Sequence, residues 1–444
     1  MKKSENKINK KENKKQPFLT KQGKREIRWE RLDNTAHLFP VIAGEKLSNT
    51  YRIAVELTED IIPEKLQEAL DKVLPKFDLF NVRMRTGFFW YYFEENNKKA
   101  PRVKEESTYP CRYIVENRNH SYMFRVTYFK KRINLEVFHV LTDGMGGINF
   151  IRELTYQYLR LVHPEINAQN GDALSASTSL NREDSFLKNY KRASKRNYGS
   201  KKAFTIKGEL MSRGMLGFIH GFMDVNQLKD VAHRYNMSIN EFLVGTYVWS
   251  IYKIAMHGFS NEKDIRVAVP VNLRPYFDSV TTKNFFVMVL AELKCDRNGI
   301  EFEDVLNEVK KSLRSQITKE HLEETFSYNV SNQQPLAARL VPLFLKNIAI
   351  GFVYNLSADS STSTMTNIGS IDFLPEYDKY VKTAYANLTV SRGQYIRATV
   401  ASCKGRLCVS FSSLFADAGI ERAFFSKLAE EGIDVSIETN GVYR

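Results

Sequence analysis

The chain turns on Arg132–Leu161, which reads RINLEVFHVLTDGMGGINFIRELTYQYLRL. Ile133, Leu135 and Val137 alternate with Asn134, Glu136 and Phe138, the period of a strand with one apolar row, and His139 continues that row inward. Asp143-Gly144 and Gly146-Gly147 follow, and glycines there supply the conformational freedom for a sharp turn. Ile148, Ile151, Leu154, Tyr158 and Leu161 then recur at helical spacing. The order is strand, polar turn, amphipathic helix. It sets an imidazole and a carboxylate at the exit of a buried strand, where a ligand can approach one side of a rigid support. An imidazole titrates near neutrality and can take a proton from a hydroxyl or an amine, the work of a general base. A lone histidine on an apolar row is more often a hydrogen-bonded core residue, so its neighbours carry the assignment.

Upstream of this stretch, Tyr51–Leu57 alternates as a strand, and Ile61–Leu74 reads as a helix with Pro63 in its first turn and Pro75 as its stop. Val82–Phe93 and Arg112–Val115 read as strands around a charged hairpin region, and Tyr122–Phe129 alternates into the His139 strand. Downstream, apolar periodicity lapses between Pro164 and Lys202, the signature of a linker and crossover. Beyond it, Phe218–Phe222 predicts a strand and Val225–Tyr235 a helix. Ser238-Ile239-Asn240-Glu241 is a capping box opening a helix through Tyr252, and Ile265–Val271 predicts a strand leading into Pro270-Val271-Asn272-Leu273-Arg274.

With 444 residues, 43% of them hydrophobic, the chain can build two domains with real cores, and 12% aromatic residues exclude a mainly disordered protein. Part of the net charge of +14 is local. The first residues are almost entirely Lys, Asn, Glu and Ser, a composition that cannot offset its chain entropy and predicts a disordered basic tail over 1–25. No apolar core follows those lysines, which argues against a signal peptide and for the cytoplasm. Cys111, Cys295, Cys403 and Cys408 are scattered, with no ligand spacing, so neither a metal nor a disulfide framework is expected. The most apolar run, Leu340–Leu356, is short for a membrane span and contains Lys346; it predicts a buried or groove-lining helix, and membrane contact no more than peripheral. The basic surplus lacks nucleic-acid recognition motifs, so nucleic acid is not expected as a partner.

His139-Val140-Leu141-Thr142-Asp143-Gly144, an HxxxDG segment in strand, turn and helix context, resembles the active-site motif of the chloramphenicol acetyltransferase-like superfamily, which includes alcohol acetyltransferases, polyketide-associated acyltransferases and condensation domains. Three further segments fall in the order the resemblance requires: Leu32-Asp33-Asn34, PVNLR with Asn284-Phe285-Phe286, and Thr366-Asn367-Ile368-Gly369. No DFGWG segment of the plant type is present, and the bacterial alcohol acetyltransferase-like branch is the nearest match.

The resemblance implies an α+β fold of two lobes, each a mixed sheet packed with helices, in a V-shaped pseudo-dimer. The N-terminal lobe is expected over 26–165, the crossover over 166–203 and the C-terminal lobe over 204–444. It implies a catalytic set of His139, Asp143, Gly144 and Arg274, with His139 as base and Arg274 paired to Asp143 so as to aim the imidazole. Thr366, Asn367 and Asn284 are the candidates for contacting substrate or a developing oxyanion; Thr366 stands where relatives carry Ser. No tightly bound cofactor and no metal are implied, only acyl-CoA such as acetyl-CoA as co-substrate. A small-molecule or lipid alcohol would be the acceptor, an acyl carrier protein is the alternative source of the acyl group, and a monomer is expected. A condensation-type enzyme forming ester or amide, or a binding protein that keeps the fold without turnover, are the competing readings.

Overall fold

The computed structural model describes residues 29–45, 47–166, 173–192, 201–331 and 340–443; the basic segment 1–25 lies outside them. The described strands form three sheets. The first runs in the order Val381–Leu388, Thr50–Leu57, Arg132–Phe138, Phe124–Phe129, Lys104–Glu105. The second runs Phe286–Leu293, Ile265–Asn272, Ser363–Ser370, Ile396–Cys403, Arg406–Ser413, Gly217–Asp224, Ser436–Thr439. A small third sheet joins Trp29–Arg31, Tyr91–Glu95 and Val82–Thr86. The architecture is α+β, with mixed sheets packed against helices.

Helices Pro63–Val73 and Gly144–Val162 pack together over the first sheet, and their apolar residues share one core with Ile53, Val55, Ile133, Leu135 and Val137. Helices Ile239–Ala255, Phe302–Gln316 and Gly419–Glu430 cover the second sheet around Val267, Val289, Ala398 and Val409. Ser238 caps its helix as the sequence predicts: its hydroxyl accepts from the Glu241 N–H, and the Glu241 carboxylate accepts from the Ser238 N–H. Pro75 does not end the first helix abruptly; it sits in a 3₁₀ turn, Leu74–Lys76, that tightens the exit.

The other row of Arg132–Phe138 is buried too, Asn134 and Glu136 being as enclosed as the apolar row. Glu136 is tolerated there because the Arg52 guanidinium donates to it at 2.9 and 2.6 Å, the Cys111 N–H at 2.7 Å, and Arg125 reaches its other oxygen. On this side the first sheet meets the second, Ala54 and Tyr385 packing on Phe222 and Cys408. Two expectations are corrected. Arg112–Val115 forms no strand. Gly144, Gly146 and Gly147 do not make a turn by left-handed backbone; all three belong to the helix, and none has positive φ. They are needed for close approach, since a Cβ would stand 2.7 Å from the Thr282 carbonyl at Gly146 and 2.7 Å from the Tyr51 hydroxyl at Gly147. The apolar run forms helix Leu343–Ala358, the groove-lining one of the two alternatives: one side faces a cavity, while Phe344, Ile348 and Phe352, one turn apart, are exposed.

The strand Val381–Leu388 comes from the C-terminal half yet completes the first sheet, pairing with Thr50–Leu57. The two halves of the chain therefore interlock, and the cavity described below lies where they meet.

Candidate active site

His139 is the first residue beyond its strand, and its N–H donates to the Asn49 carbonyl at 3.0 Å. The ring stacks on Phe39 at 4.7 Å and meets Tyr51 edge-on at 5.2 Å. Its Nδ1 lies 3.1 Å from Asn284 Oδ1. The orientation of that amide is fixed from behind: Asn284 Nδ2 donates to Asp33 Oδ2 at 3.0 Å and to the His139 carbonyl at 3.3 Å. Oδ1 must then accept, so Nδ1 carries the ring proton and Nε2 keeps its lone pair. Asp33 is itself held by the Ala36 N–H at 2.8 Å. Burial pushes its carboxyl up to about 7, against the opposing effect of the bonds from Asn284 and Ala36.

Burial also holds His139 below the usual 6.5, and the nearby Arg397 cation lowers it further; the Asp143 charge, its own main chain and Asn284 oppose this. A lowered value means the neutral ring predominates at pH 7. Activity that depends on the neutral ring is therefore retained below pH 6.5 and lost only at more acid pH. The acid limb of kcat/KM is expected below 6.5. Because Asp143 raises the imidazole value, Asp143→Asn should move that limb to lower pH; a limb that moves upward contradicts this electrostatic assignment.

Asp143 caps the helix, its Oδ1 accepting from the Met145 N–H at 3.2 Å. Arg274 grips the carboxylate with both forks, Nη2 to Oδ1 at 3.0 Å and Nη1 to Oδ2 at 2.9 Å, and the Phe285 N–H adds a bond to Oδ2 at 3.1 Å. The rest of the guanidinium is used as well: Nε donates to the Thr281 carbonyl at 2.8 Å and Nη2 to the Lys283 carbonyl at 2.7 Å. Both side chains are buried, where a charge survives only when paired and fully hydrogen-bonded. The pair ties the His139 turn to the segment carrying Asn284.

His139, Asp143, Gly144 and Arg274 line one cavity of about 1600 Å³ with Thr366 and Asn367, so six of the seven sequence candidates meet there. Asn367 is largely occupied: Oδ1 accepts from the Gly369 N–H at 2.9 Å and Nδ2 reaches Asn240 at 3.3 Å. Asn284 does not face the cavity as an oxyanion donor, since its amide is spent on His139 and Asp33. Phe89, Trp90 and Phe286 are among the aromatic residues that line the cavity, with Phe39, Tyr51 and Tyr354, whereas Phe285 is core and Phe88 is exposed. Sequence reasoning misses Asp33 and Arg397 as site residues; Leu32-Asp33-Asn34 is the only signal for the first, and Arg397 in an ordinary strand gives none. Among the described residues no cluster of His, Cys, Asp and Glu is set to hold a metal, and no helix is long and apolar enough to cross a membrane.

No family model matches the chain and no curated protein matches it. Solved structures do. TRI101 of F. sporotrichioides, solved with coenzyme A and T-2, is similar over 92% of this chain and 99% of its own at a TM-score of 0.60 and 12% identity. Polyketide synthase associated protein 5 of Mycobacterium tuberculosis is similar over 90% and 97% at 0.59 and 11%. The epimerization domain of the third module of tyrocidine synthetase B is similar over 91% and 95% at 0.57 and 9%. The chain thus has the two-lobed chloramphenicol acetyltransferase-like fold that condensation domains share.

Proposed function

We propose that the protein is an acyltransferase that moves an acetyl or longer acyl group from a CoA thioester to a hydroxyl acceptor. The observation that carries this reading is an imidazole held with Nε2 basic and open to a large cavity, by an amide oriented from behind by Asp33. His139 Nε2 takes the proton of the acceptor hydroxyl. The oxygen attacks the thioester carbonyl, the C–O bond forms and the C–S bond breaks, and the departing sulfur receives the proton from Nε2. Negative charge on the carbonyl oxygen is met by Thr366, whose hydroxyl lines the cavity. Asp143 and Arg274 hold the turn and move no proton. Gly144 lets the wall approach, a Cβ there standing 3.0 Å from Ile368.

The test is thiol release from acetyl-CoA and longer acyl-CoAs with a panel of alcohols. Release that needs both substrates supports the reading. Absence of turnover with every CoA donor, and turnover with an acylated carrier protein, would move the protein to the condensation type. A lipid alcohol would reach the cavity along helix Leu343–Ala358, whose exposed Phe344, Ile348 and Phe352 form the surface for peripheral membrane contact.

Asn284 has a separable role, since it touches His139 and no substrate. Asn284→Ala frees the ring to rotate and change tautomer, and kcat should fall on the order of 100-fold with KM little changed. Asn284→Asp places a carboxylate against Nδ1–H, which raises the imidazole value and moves the acid limb to higher pH. A variant pair with unaltered pH profiles would reduce Asn284 to a packing residue.

A further inference from the structure

Arg397 lies on strand Ile396–Cys403 and lines the same cavity as His139. The buried Arg52, Arg266 and Arg274 each meet a carboxylate. Among the described residues none pairs with Arg397, whose one hydrogen bond runs from Nη1 to the Thr389 carbonyl at 3.0 Å. Its Nε is buried without a partner. Other cavity residues share this condition, among them Thr399 at its hydroxyl and Asn387 and Asn347 each at Oδ1. Thr399 stands two residues along from Arg397 on the same face of the strand, and both residues line the cavity. Gln394, also in the cavity, is already engaged by the Thr364 hydroxyl at 2.7 Å and by Ser361. Burial pushes Arg397 down to about 10, which still leaves it cationic at neutral pH.

A half-buried cation that meets no carboxylate among the described residues is costly, and the cost is recovered when an anion of matching geometry binds. Ile350, Val353 and Leu290 line the same cavity, so the guanidinium is a charged anchor in a cavity with apolar wall available for the rest of a ligand. We propose that Arg397, with the Thr399 hydroxyl, forms a carboxylate-binding subsite, so that one of the two substrates presented to His139 carries a carboxylate on an apolar body. A carboxylate accepts two parallel N–H bonds from a guanidinium, which a neutral ester or alcohol cannot do. The subsite gives the acyl transfer proposed above its substrate class, and so rests on that reading for its purpose, though not for its existence.

Binding is measured apart from turnover. Isothermal titration of the full-length protein with a series of ω-hydroxy carboxylates of increasing chain length, and with their methyl esters, reads the subsite directly. The wild type should bind the best carboxylate at least about tenfold more tightly than its ester, roughly the value of one charge-assisted contact. Arg397→Gln should abolish that preference, Arg397→Lys should keep part of it, and Thr399→Val should weaken it without abolishing it. Acids and esters that bind alike, or a preference that survives Arg397→Gln in a protein of unchanged melting temperature, overturn the proposal. A preference shown by the wild type and lost in Arg397→Gln supports the subsite even where no thiol is released, in which case acyl transfer is the reading that fails. Two kinetic arms then assign the carboxylate. Hydroxy acid against methyl ester with acetyl-CoA reads the acceptor, and succinyl-CoA against butyryl-CoA with a neutral alcohol reads the donor. An effect of Arg397→Gln on KM for every acyl-CoA alike, with no acid preference in either arm, would assign the cation to the CoA moiety and overturn the carboxylate subsite.

Discussion

His139→Ala is expected to lower kcat/KM for thiol release by on the order of a thousandfold, the usual contribution of a positioned general base. The ring touches Phe39 and Tyr51 and one amide, and it stands at the cavity wall rather than in the centre of a core. Its removal enlarges an existing cavity and creates no void inside either core, so the variant should keep its far-ultraviolet spectrum and a melting temperature close to that of the wild type. Acyl-CoA binding should persist, because the imidazole acts on the acceptor proton. Added imidazole should restore part of the rate, as the vacated space adjoins Asn284, which would orient a free ring as it orients the residue. Retention of activity within about tenfold of wild type would sink the general-base assignment, since that is below the range such a group contributes. The same loss accompanied by unfolding would leave it unsupported, which is why the binding and melting measurements belong to the experiment.

The second large effect is on stability. Arg274→Ala strips the buried Asp143 carboxylate of both guanidinium contacts and leaves the Thr281 and Lys283 carbonyls without their donor. Breaking a buried pair from one side costs about 3–5 kcal/mol, because the surviving charge remains where water cannot reach it. Denaturant unfolding should show a loss in that range. Any protein that remains folded should turn over on the order of 100-fold more slowly, since the turn that aims His139 is no longer tied to the Asn284 segment. Arg274→Lys keeps the charge but not the fork and should fall between the two. The double variant Asp143→Ala with Arg274→Ala should be far less destabilised than the sum of the singles, a coupling above about 1 kcal/mol being expected of groups in direct contact. Additive effects would mean that the pair is not the tie the geometry describes.

Much of this site is legible in the chain. The alternation before His139, the glycine-rich turn at Asp143 and the spacing after Gly147 are local patterns, and local patterns set local structure. The Asp143–Arg274 pair, 131 residues apart, is legible only through resemblance, because nothing in either segment alone names its partner. Asn284 is visible in the sequence as a site residue, but as a contact for substrate rather than as the support of His139. A side-chain amide can donate or accept, and the orientation of this one is set by Asp33, 251 residues away. Glu136 has the position of a solvent-facing residue in an amphipathic strand, since periodicity cannot tell water from a second buried layer that contains Arg52 and Arg125. The glycines after Asp143 suggest left-handed backbone, whereas the helix needs them for the approach of Thr282 and Tyr51, which come from distant parts of the chain.

The sequence by itself therefore determined the elements and the reacting group: a strand ending in an imidazole, an amphipathic helix after a glycine-rich turn, and two apolar cores large enough to support two sheets. The tertiary structure alone decided which nitrogen of that imidazole is basic, which carboxylate stands behind it, and that Arg397 meets no carboxylate among the described residues of the cavity. The physical reason is one of range. Periodicity and capping act over a few residues and are written in order along the chain, whereas the protonation and pairing of a buried group depend on whatever neighbours the folded sheets bring within hydrogen-bond distance.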